Sequence, residues 1–527
     1  MCKYKHFAVI VGGLIILAVI GCFTLSYDGN DDQLMQFIVS GTLTGTPDSN
    51  IIFQHTLIGM MLRFLYTLAP NINWYVFFLI SIHFLSAGMI ITGLFCRKNT
   101  QHRHLLLWAL FFIFLFGYYA LYLVAIQYTT TSFLIGIAAL TLLSSELQLS
   151  KKLFFVTVGF LFCMLIREQV FYLILVFSIP VLFQHWTSKE RNPLLITLGI
   201  SVLMFFILSH INKSHSAYLQ SNYSRYISAS EIIINRPLNI TSQALEKYHL
   251  TIDDILLIQN WYGADVHYNT PDLFNFAEET LTVRPFDEAL PLFKSFIRDE
   301  RYMLAMYLLS LAAALLFCVQ EKKWAILNFI LFSVVFIYLL YNMRIPRRVV
   351  SPLLFYISWF NLMLLLRSTA PSPLRTTVLT LLVLLSGYKF YCVYHLNLKN
   401  KTNAIRFEAL TAEINRNPSS LFIIQSLPLE LMKVNFHNQD IFTQNNILFT
   451  GWYINTPNYL QLLKQHQLTN LTSGIKGRKD ILFLTNSNAF EAAFIRVMQQ
   501  RYASKCHFED AKAGFTFLHP RKLVFDN

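Results

Sequence analysis

Two adjacent carboxylates, Asp31 and Asp32, open the stretch DDQLMQFIVSG directly after the first apolar run of the chain. The segment around them, residues 26–50 (SYDGNDDQLMQFIVSGTLTGTPDSN), adds Asp28 and Asp48 and contains no Lys or Arg. Acids in a first helical turn are favoured by the helix dipole and can cap it. Capping alone leaves unexplained why these acids stand beside an apolar wall with no basic residue nearby in sequence, where ionisable groups are costly and usually mark function. A carboxylate so placed can take the proton of a substrate hydroxyl as general base. The Asp31/Asp32 pair could alternatively hold Mg²⁺ or Mn²⁺.

The opposite charges come later. Arg344, Arg347 and Arg348 crowd into YNMRIPRRVVSP, stiffened by Pro346 and Pro352, and Arg167 stands in IREQV. Guanidinium suits bidentate contact with phosphate or carboxylate. For the 344–348 cluster phosphate binding is the favoured reading. For Arg167 it stands beside snorkelling to lipid headgroups, or pairing with Glu168 and the loop acids. The run from Gln127 to Ser132 (QYTTTS) can hydrogen-bond a sugar or cap a helix start, and residue type favours the cap. His55 is either a polar group of the site or an interfacial histidine. In HLTIDDILLIQNWYGADVHYNTPDLF, Thr251 reads as a helix cap with Asp253 and Asp254 in the first turn. Asp253 and Asp265 flank Trp261 and Tyr262, which suits a sugar or an ordinary folded surface equally.

What positions these groups is a membrane. The 527 residues are 55% hydrophobic and only 13% charged, against about 25% charged in soluble domains. The formal charge of +13 would elsewhere raise nucleic acid as a partner. Here it fits basic loops anchored on the cytoplasmic side, and no aromatic-plus-basic nucleic-acid motif accompanies it. The seven Cys form no CxxC or Cys/His cluster, so neither a disulfide framework nor a zinc site is supported, although a Cys392–Cys506 bridge is conceivable. The N-terminal run reads as a retained first span rather than a cleaved signal, because it is long and lacks a small-x-small site. Cys2 lacks the preceding signal of a lipoprotein.

Eleven apolar segments are placed as spans: 6–25, 74–95, 105–123, 132–147, 153–166, 170–184, 194–209, 302–318, 324–341, 349–366 and 376–394, the fourth to seventh being short. Alternate loops hold Lys3 and Lys5; Arg97, Lys98 and Arg103; Lys151 and Lys152; Lys189 and Arg191; Lys322 and Lys323; Arg367 and Arg375. The positive-inside rule then puts the N-terminus in the cytoplasm and the C-terminus outside. Arg167 and the 344–348 cluster break that rule, so something should hold them. Residues 51–68 read as one or two helices lying in the interface, or as a short buried helix. The expected architecture is an α-helical polytopic membrane protein: a transmembrane domain over 1–396 with an extracytoplasmic insert at 210–300, then a small extracytoplasmic α/β domain over 397–527. In the tail, strand-like runs (421–425, 481–485, 514–519) alternate with helix-like ones, and no glycine-rich phosphate loop appears.

Taken together, NDDQLMQFIVSGTLTGTPDSNIIFQHTLIG, QYTTTSFLIG, LIREQVFYLILVFSIP, LTIDDILLIQNWYGAD and MRIPRRVVSPL resemble the GT-C superfamily of membrane glycosyltransferases, and more closely a branch of uncharacterised bacterial polytopic proteins grouped with it. The resemblance covers about residues 1–366 and leaves the tail out. It implies a polyprenyl-phosphate sugar donor, an inverting transfer to an acceptor hydroxyl of a glycan, lipid or protein, and a site facing the outside of the cytoplasmic membrane. It also implies that Asp31 or Asp32 is the base and that Arg167, Arg344, Arg347 and Arg348 hold the donor phosphate. His55, Gln127 and Glu168 are weaker substrate contacts, Glu168 being the counterpart of a second acidic motif found in that superfamily. No cofactor is called for, apart from a metal the Asp pair could hold. Two other classes stay in view: a transporter or flippase of lipid-linked glycan, which would need polar groups across the midplane, and a polysaccharide polymerase or ligase.

Overall fold

Every one of the eleven apolar segments coincides with a helix in the computed structural model of the chain. The structure describes residues 3–96, 104–184, 191–215, 223–263, 271–366, 373–425, 433–438, 446–485, 487–511 and 520–525. Arg97, Lys98, Arg103, Lys189, Asp265, Arg367, Cys2 and the strand-like run 514–519 lie outside the described residues.

The first half of the bundle consists of α1 (Lys3–Cys22), α2 (Asn30–Ser40), α3 (Thr56–Leu68), α4 (Trp74–Phe95), α5 (His104–Phe112), α6 (Ala120–Val124), α7 (Tyr128–Leu143), α8 (Leu149–Ile166), α9 (Glu168–Gln184) and α10 (Arg191–His215), with a π-helical stretch, Ile113–Tyr119, joining α5 to α6. The insert carries α11 (Tyr223–Asn235), α12 (Ser242–Lys247), α13 (Ile252–Gln259), α14 (Pro271–Glu279) and α15 (Phe286–Asp299). The bundle then resumes with α16 (Arg301–Phe317), α17 (Lys322–Asn342), α18 (Arg347–Leu365) and α19 (Pro373–Arg416). Among the described residues eight helices are long and apolar enough to cross a membrane, or nine if the pair α15–α16, bent by 82°, counts as one span. The chain is a multi-pass membrane protein. The expected shortness holds for α7 (16 residues) and α9 (17 residues) but not for α10, which runs 25 residues. Its polar C-terminal residues, HINKSH, continue the helix beyond the apolar run.

α7 is the axis of the bundle. All sixteen of its residues are buried, and α4, α8, α9 and α18 pack around it. By contrast α10 and α17 present Leu203, Phe206, Phe329 and Val334 outward, the pattern of faces that meet lipid. α3 exposes Leu57, Met60, Met61, Phe64 and Leu68, an apolar stripe consistent with a helix lying at the interface.

Two local devices set the acidic loop. Ser26–Tyr27 (β1) pairs in parallel with Ala125–Ile126 (β2), which pins the loop beside the start of α7. α2 stops at Gly41, whose φ of 79° is left-handed and whose position leaves only 2.5 Å between an added Cβ and the Thr46 carbonyl carbon. The chain therefore folds back sharply after the helix that carries Asp31 and Asp32.

α19 is continuous for 44 residues, about 66 Å at 1.5 Å per residue. The expected boundary at 396/397 falls inside it, so the last span is also the stalk of the tail. The tail forms a mixed five-stranded sheet in the order β4-β3-β5-β7-β6. The strands are β3 (Leu421–Ile424), β4 (Ile447–Phe449), β5 (Ile481–Leu484), β6 (Cys506–Asp510) and β7 (Pro520–Phe525), with α20 (Pro457–Gln465) and α21 (Asn488–Tyr502). β3 pairs in parallel with both β4 and β5, and β7 is antiparallel to both its neighbours. Cys392 and Cys506 form no disulfide, so the conceivable bridge between them is not made.

Insert and tail lock together at α13 and α21. Arg496 clasps Asp253 through two hydrogen bonds (2.9 and 2.7 Å), and Arg501 bonds Asp254 in the same two-pronged way. Asp254 also completes the capping box with Thr251 read from the sequence. Tyr262 is fully buried with its hydroxyl on the Leu471 carbonyl. Asp253 and Tyr262 thus serve a packed seam rather than an open sugar platform.

Candidate active site

The acidic loop and the 344–348 arginines meet directly. Arg348 donates to Asp31 Oδ2 at 2.6 Å, and Arg347 pairs with Glu300 at 2.8 Å. Both arginines sit at the start of α18, after Pro346 has capped it in an extended conformation. Asp31 is 8% exposed, and its second oxygen accepts no hydrogen bond among the described residues.

Asp32 has a different place from its neighbour. It is fully buried and accepts from the Tyr75 hydroxyl (2.8 Å) and from the Tyr128 backbone N–H (3.0 Å) with one oxygen. Its other oxygen has no hydrogen-bond partner among the described residues. A carboxylate on the first N–H of α7 meets the positive end of that helix dipole. Burial pushes the Asp32 carboxyl well above the usual carboxylate range, and the Tyr75 hydrogen bond offsets this only in part. Of the two acids, Asp31 is the one that pairs with an arginine of the 344–348 cluster. The two carboxylates also diverge, one to Arg348 and one to Tyr75 and Tyr128, so they do not offer a shared metal site. Among the described residues no three His, Cys, Asp or Glu converge in a metal-binding group.

A cavity of about 190 Å³ opens against these arginines. Its charged end consists of Asp28, Arg347, Arg348 and Lys389, with Thr130 and Ser351 beside them. Leu121, Val393 and Leu396, from α6 and α19, line the rest. At about 30 Å³ per water this is room for roughly six waters. Lys389 escaped the sequence reading because it lies inside an apolar span. It is only 7% exposed, and its amine makes no hydrogen bond or ion pair among the described residues. A buried ammonium without such a partner is expensive, and an arriving anion would relieve it. Asp28, unlike Asp32, reaches solvent. The protein crowding round it still raises its carboxyl above the usual range, against the pull of Arg347.

Arg167 is not among the residues that line the cavity. Its guanidinium rests over the rings of Phe53 (5.2 Å) and Tyr128 (5.4 Å) and touches the Phe53 carbonyl at 3.5 Å. It does not pair with Glu168, which instead accepts from Tyr172 (3.2 Å) and Ser209 (3.5 Å). Besides Asp31, Asp28 and Glu300, a further acid near the arginines is Glu231 of α11: crowding by protein raises its carboxyl, Arg167 and Arg348 lower it, and Asp31 raises it again. Glu231 was not among the expected site residues. It had no motif to mark it, because only the folding of the insert brings α11 to the site. Arg344 is exposed, feels both Arg348 and Asp31, and its guanidinium has no partner among the described residues.

The weaker candidates have structural duties. His55 caps α3 by accepting from the Leu57 N–H (3.1 Å), with Nε2 against the Leu208 carbonyl (2.8 Å). Gln127 caps α7 through Thr130 N–H (3.0 Å). The cap reading of QYTTTS is therefore observed, while Thr130 from the same run lines the cavity.

No family model matches the chain, and no curated protein matches it. Among solved structures it is similar to the crystal structure of ArnT from Cupriavidus metallidurans bound to undecaprenyl phosphate, at 10% identity and a TM-score of 0.39, over 100% of this chain and 98% of that one. A likeness at this level assigns no role to any residue.

Proposed function

We propose that the chain is a glycosyltransferase that moves a sugar from a polyprenyl-phosphate lipid donor to an acceptor hydroxyl at the outer face of the cytoplasmic membrane. The observation that carries this reading is the cavity in which Arg347, Arg348 and Lys389 converge above apolar walls, with Asp31 2.6 Å from one of those cations. Clustered cations over an apolar groove fit a phosphate that bears a hydrocarbon tail. The outward orientation follows from the basic loops on the opposite side.

In this reading the donor phosphate enters among Arg347, Arg348 and Lys389 and draws Arg348 away from Asp31. The freed carboxylate takes the proton of the acceptor hydroxyl. The acceptor oxygen forms its bond to the anomeric carbon as the bond from that carbon to the phosphate oxygen breaks. The electron pair leaves with the polyprenyl phosphate, whose growing charge the cations stabilise. In-line displacement inverts the anomeric centre. Asp32 acts from behind, fixing the start of α7. The acceptor belongs to surface glycan assembly or modification.

The test is reconstitution in proteoliposomes with a radiolabelled undecaprenyl-phosphate sugar and extracts of surface glycan, lipid and protein as acceptors. Transfer of label that is lost in Arg348→Ala and Asp31→Asn is the expected result. Donor lipid carried across the bilayer without transfer would overturn the reading in favour of a flippase.

A further inference from the structure

The tail supplies a residue to the site although the motifs that mark the site lie outside it. Trp452, in the turn after β4, is 2% exposed and meets the Phe53 ring edge-on, with centroids 4.9 Å apart at 69°. Phe53 in turn lies nearly parallel to Tyr128, with centroids 6.0 Å apart at 13°. Arg167 rests over both of these rings. Stacking of this kind holds a guanidinium by its face and leaves its N–H edges free for an anion. Apart from the long contact to the Phe53 carbonyl, Arg167 has no polar partner among the described residues. Its orientation therefore depends on where Phe53 stands.

Phe53 lies in the irregular link between α2 and α3, half-buried, where no helix fixes its ring. Trp452 is much better anchored. Its carbonyl accepts from the Tyr223 hydroxyl, and the preceding Gly451 donates to the Trp261 carbonyl at 3.0 Å. Gly451 adopts φ 136°, which a residue with Cβ would resist. The tail also grips the acidic loop elsewhere: Phe449 stacks on Phe37 of α2, and Asn458 bonds Asp48.

We propose that Trp452 is a positioning residue: from the tail it braces Phe53, and through that ring it holds Arg167 edge-out toward the donor phosphate. This rests on the function proposed above. Arg167, Arg348 and Asp31 all act on both Tyr128 and Glu231, so Arg167 lies near the Asp31–Arg348 pair.

The experiment measures thermal stabilisation of the purified full chain in detergent by undecaprenyl phosphate, titrated against wild type, Arg348→Ala, Arg167→Ala, Trp452→Ala, Trp452→Phe, Phe53→Leu and the double variant Arg167→Ala/Trp452→Ala. Trp452→Ala and Phe53→Leu should each weaken apparent affinity about tenfold, the size of a desolvated cation–π contact. Trp452→Phe should recover most of it. The double variant should bind no more weakly than Arg167→Ala alone, a non-additivity that a merely structural role would not produce. Should Trp452→Ala fail to fold, Phe53→Leu carries the test from the other side of the contact. If Arg348→Ala loses the lipid while Trp452→Ala and Phe53→Leu keep it, this inference is overturned and the proposed function stands. Absence of any stabilisation of the wild type would overturn both.

Discussion

Arg348 and Asp31, 317 residues apart in sequence, share a hydrogen bond of 2.6 Å. That contact closes the loop between the first outer segment and the start of α18. It also occupies the carboxylate and the guanidinium with each other until something displaces one of them.

Removing the carboxylate should therefore separate binding from turnover. Asp31→Asn leaves Arg348 less engaged, so affinity for undecaprenyl phosphate should rise a few-fold while sugar transfer falls by at least about a hundredfold, the usual contribution of a general base. Lipid titration by thermal shift and the proteoliposome assay read the two effects. Wild-type transfer rates in a folded Asp31→Asn protein would remove Asp31 from the mechanism.

Lys389 offers a test with opposite signs for stability and function. Its amine is buried and lacks a hydrogen bond or ion pair among the described residues. With no direct partner to lose, replacing the ammonium by an apolar side chain of similar length removes its desolvation cost, against the loss of a longer-range attraction to Glu300. Lys389→Met should raise the Tm of the lipid-free protein by a few degrees and weaken undecaprenyl phosphate about tenfold or more. A clear drop in Tm would mean that the amine already has a partner in the free protein.

The pH dependence of stability should carry the mark of Asp32. Its folded carboxyl lies well above the ordinary carboxylate value because of burial, so the folded state binds the proton more readily than the unfolded chain. The stability gained from that proton is complete below the ordinary value and is lost as pH rises through the raised one. Asp32→Asn removes this titration. The Tm difference, variant minus wild type, should become more positive between pH 4 and pH 8, read by scanning calorimetry in detergent. A difference that stays flat with pH would show that Asp32 titrates normally.

The seam between insert and tail predicts an order of damage. Asp254 is fully buried, accepts from Arg501 and closes the capping box of α13. Arg501→Ala leaves that carboxylate without its guanidinium, at a cost of about 3 kcal/mol. Arg496→Ala strips Asp253 in the same way, but Arg496 is the more exposed of the two arginines, so the loss should be smaller. Chemical denaturation followed by tryptophan fluorescence would rank them. Equal midpoints for the two variants would contradict the assignment of Asp254 as the buried anchor.

Much of the fold is legible in composition and period. The apolar runs mark the helices because a bilayer leaves a backbone little choice but to satisfy its hydrogen bonds internally. Thr251 with Asp254 and Gln127 with Thr130 announce caps through residue type and spacing alone, and the structure forms both. The arginines at 344–348 are visible because they break a charge rule. Arg167 is visible for the same reason, but its seat over the rings of Phe53 and Tyr128 is not.

The amino-acid sequence by itself determined the class of the protein, its helices and the two charged segments, because hydrophobic length, charge asymmetry and capping are local properties. Only the tertiary structure decided which of two adjacent acids faces the cations, since neighbours on a helix point about 100° apart and the packing of α7 takes one of them. It also brought Lys389 to the cavity, Glu231 near Arg167 and Arg348, and Trp452 against Phe53. Each comes from a segment with no motif of its own, and each is brought there by contacts whose partners lie dozens to hundreds of residues away.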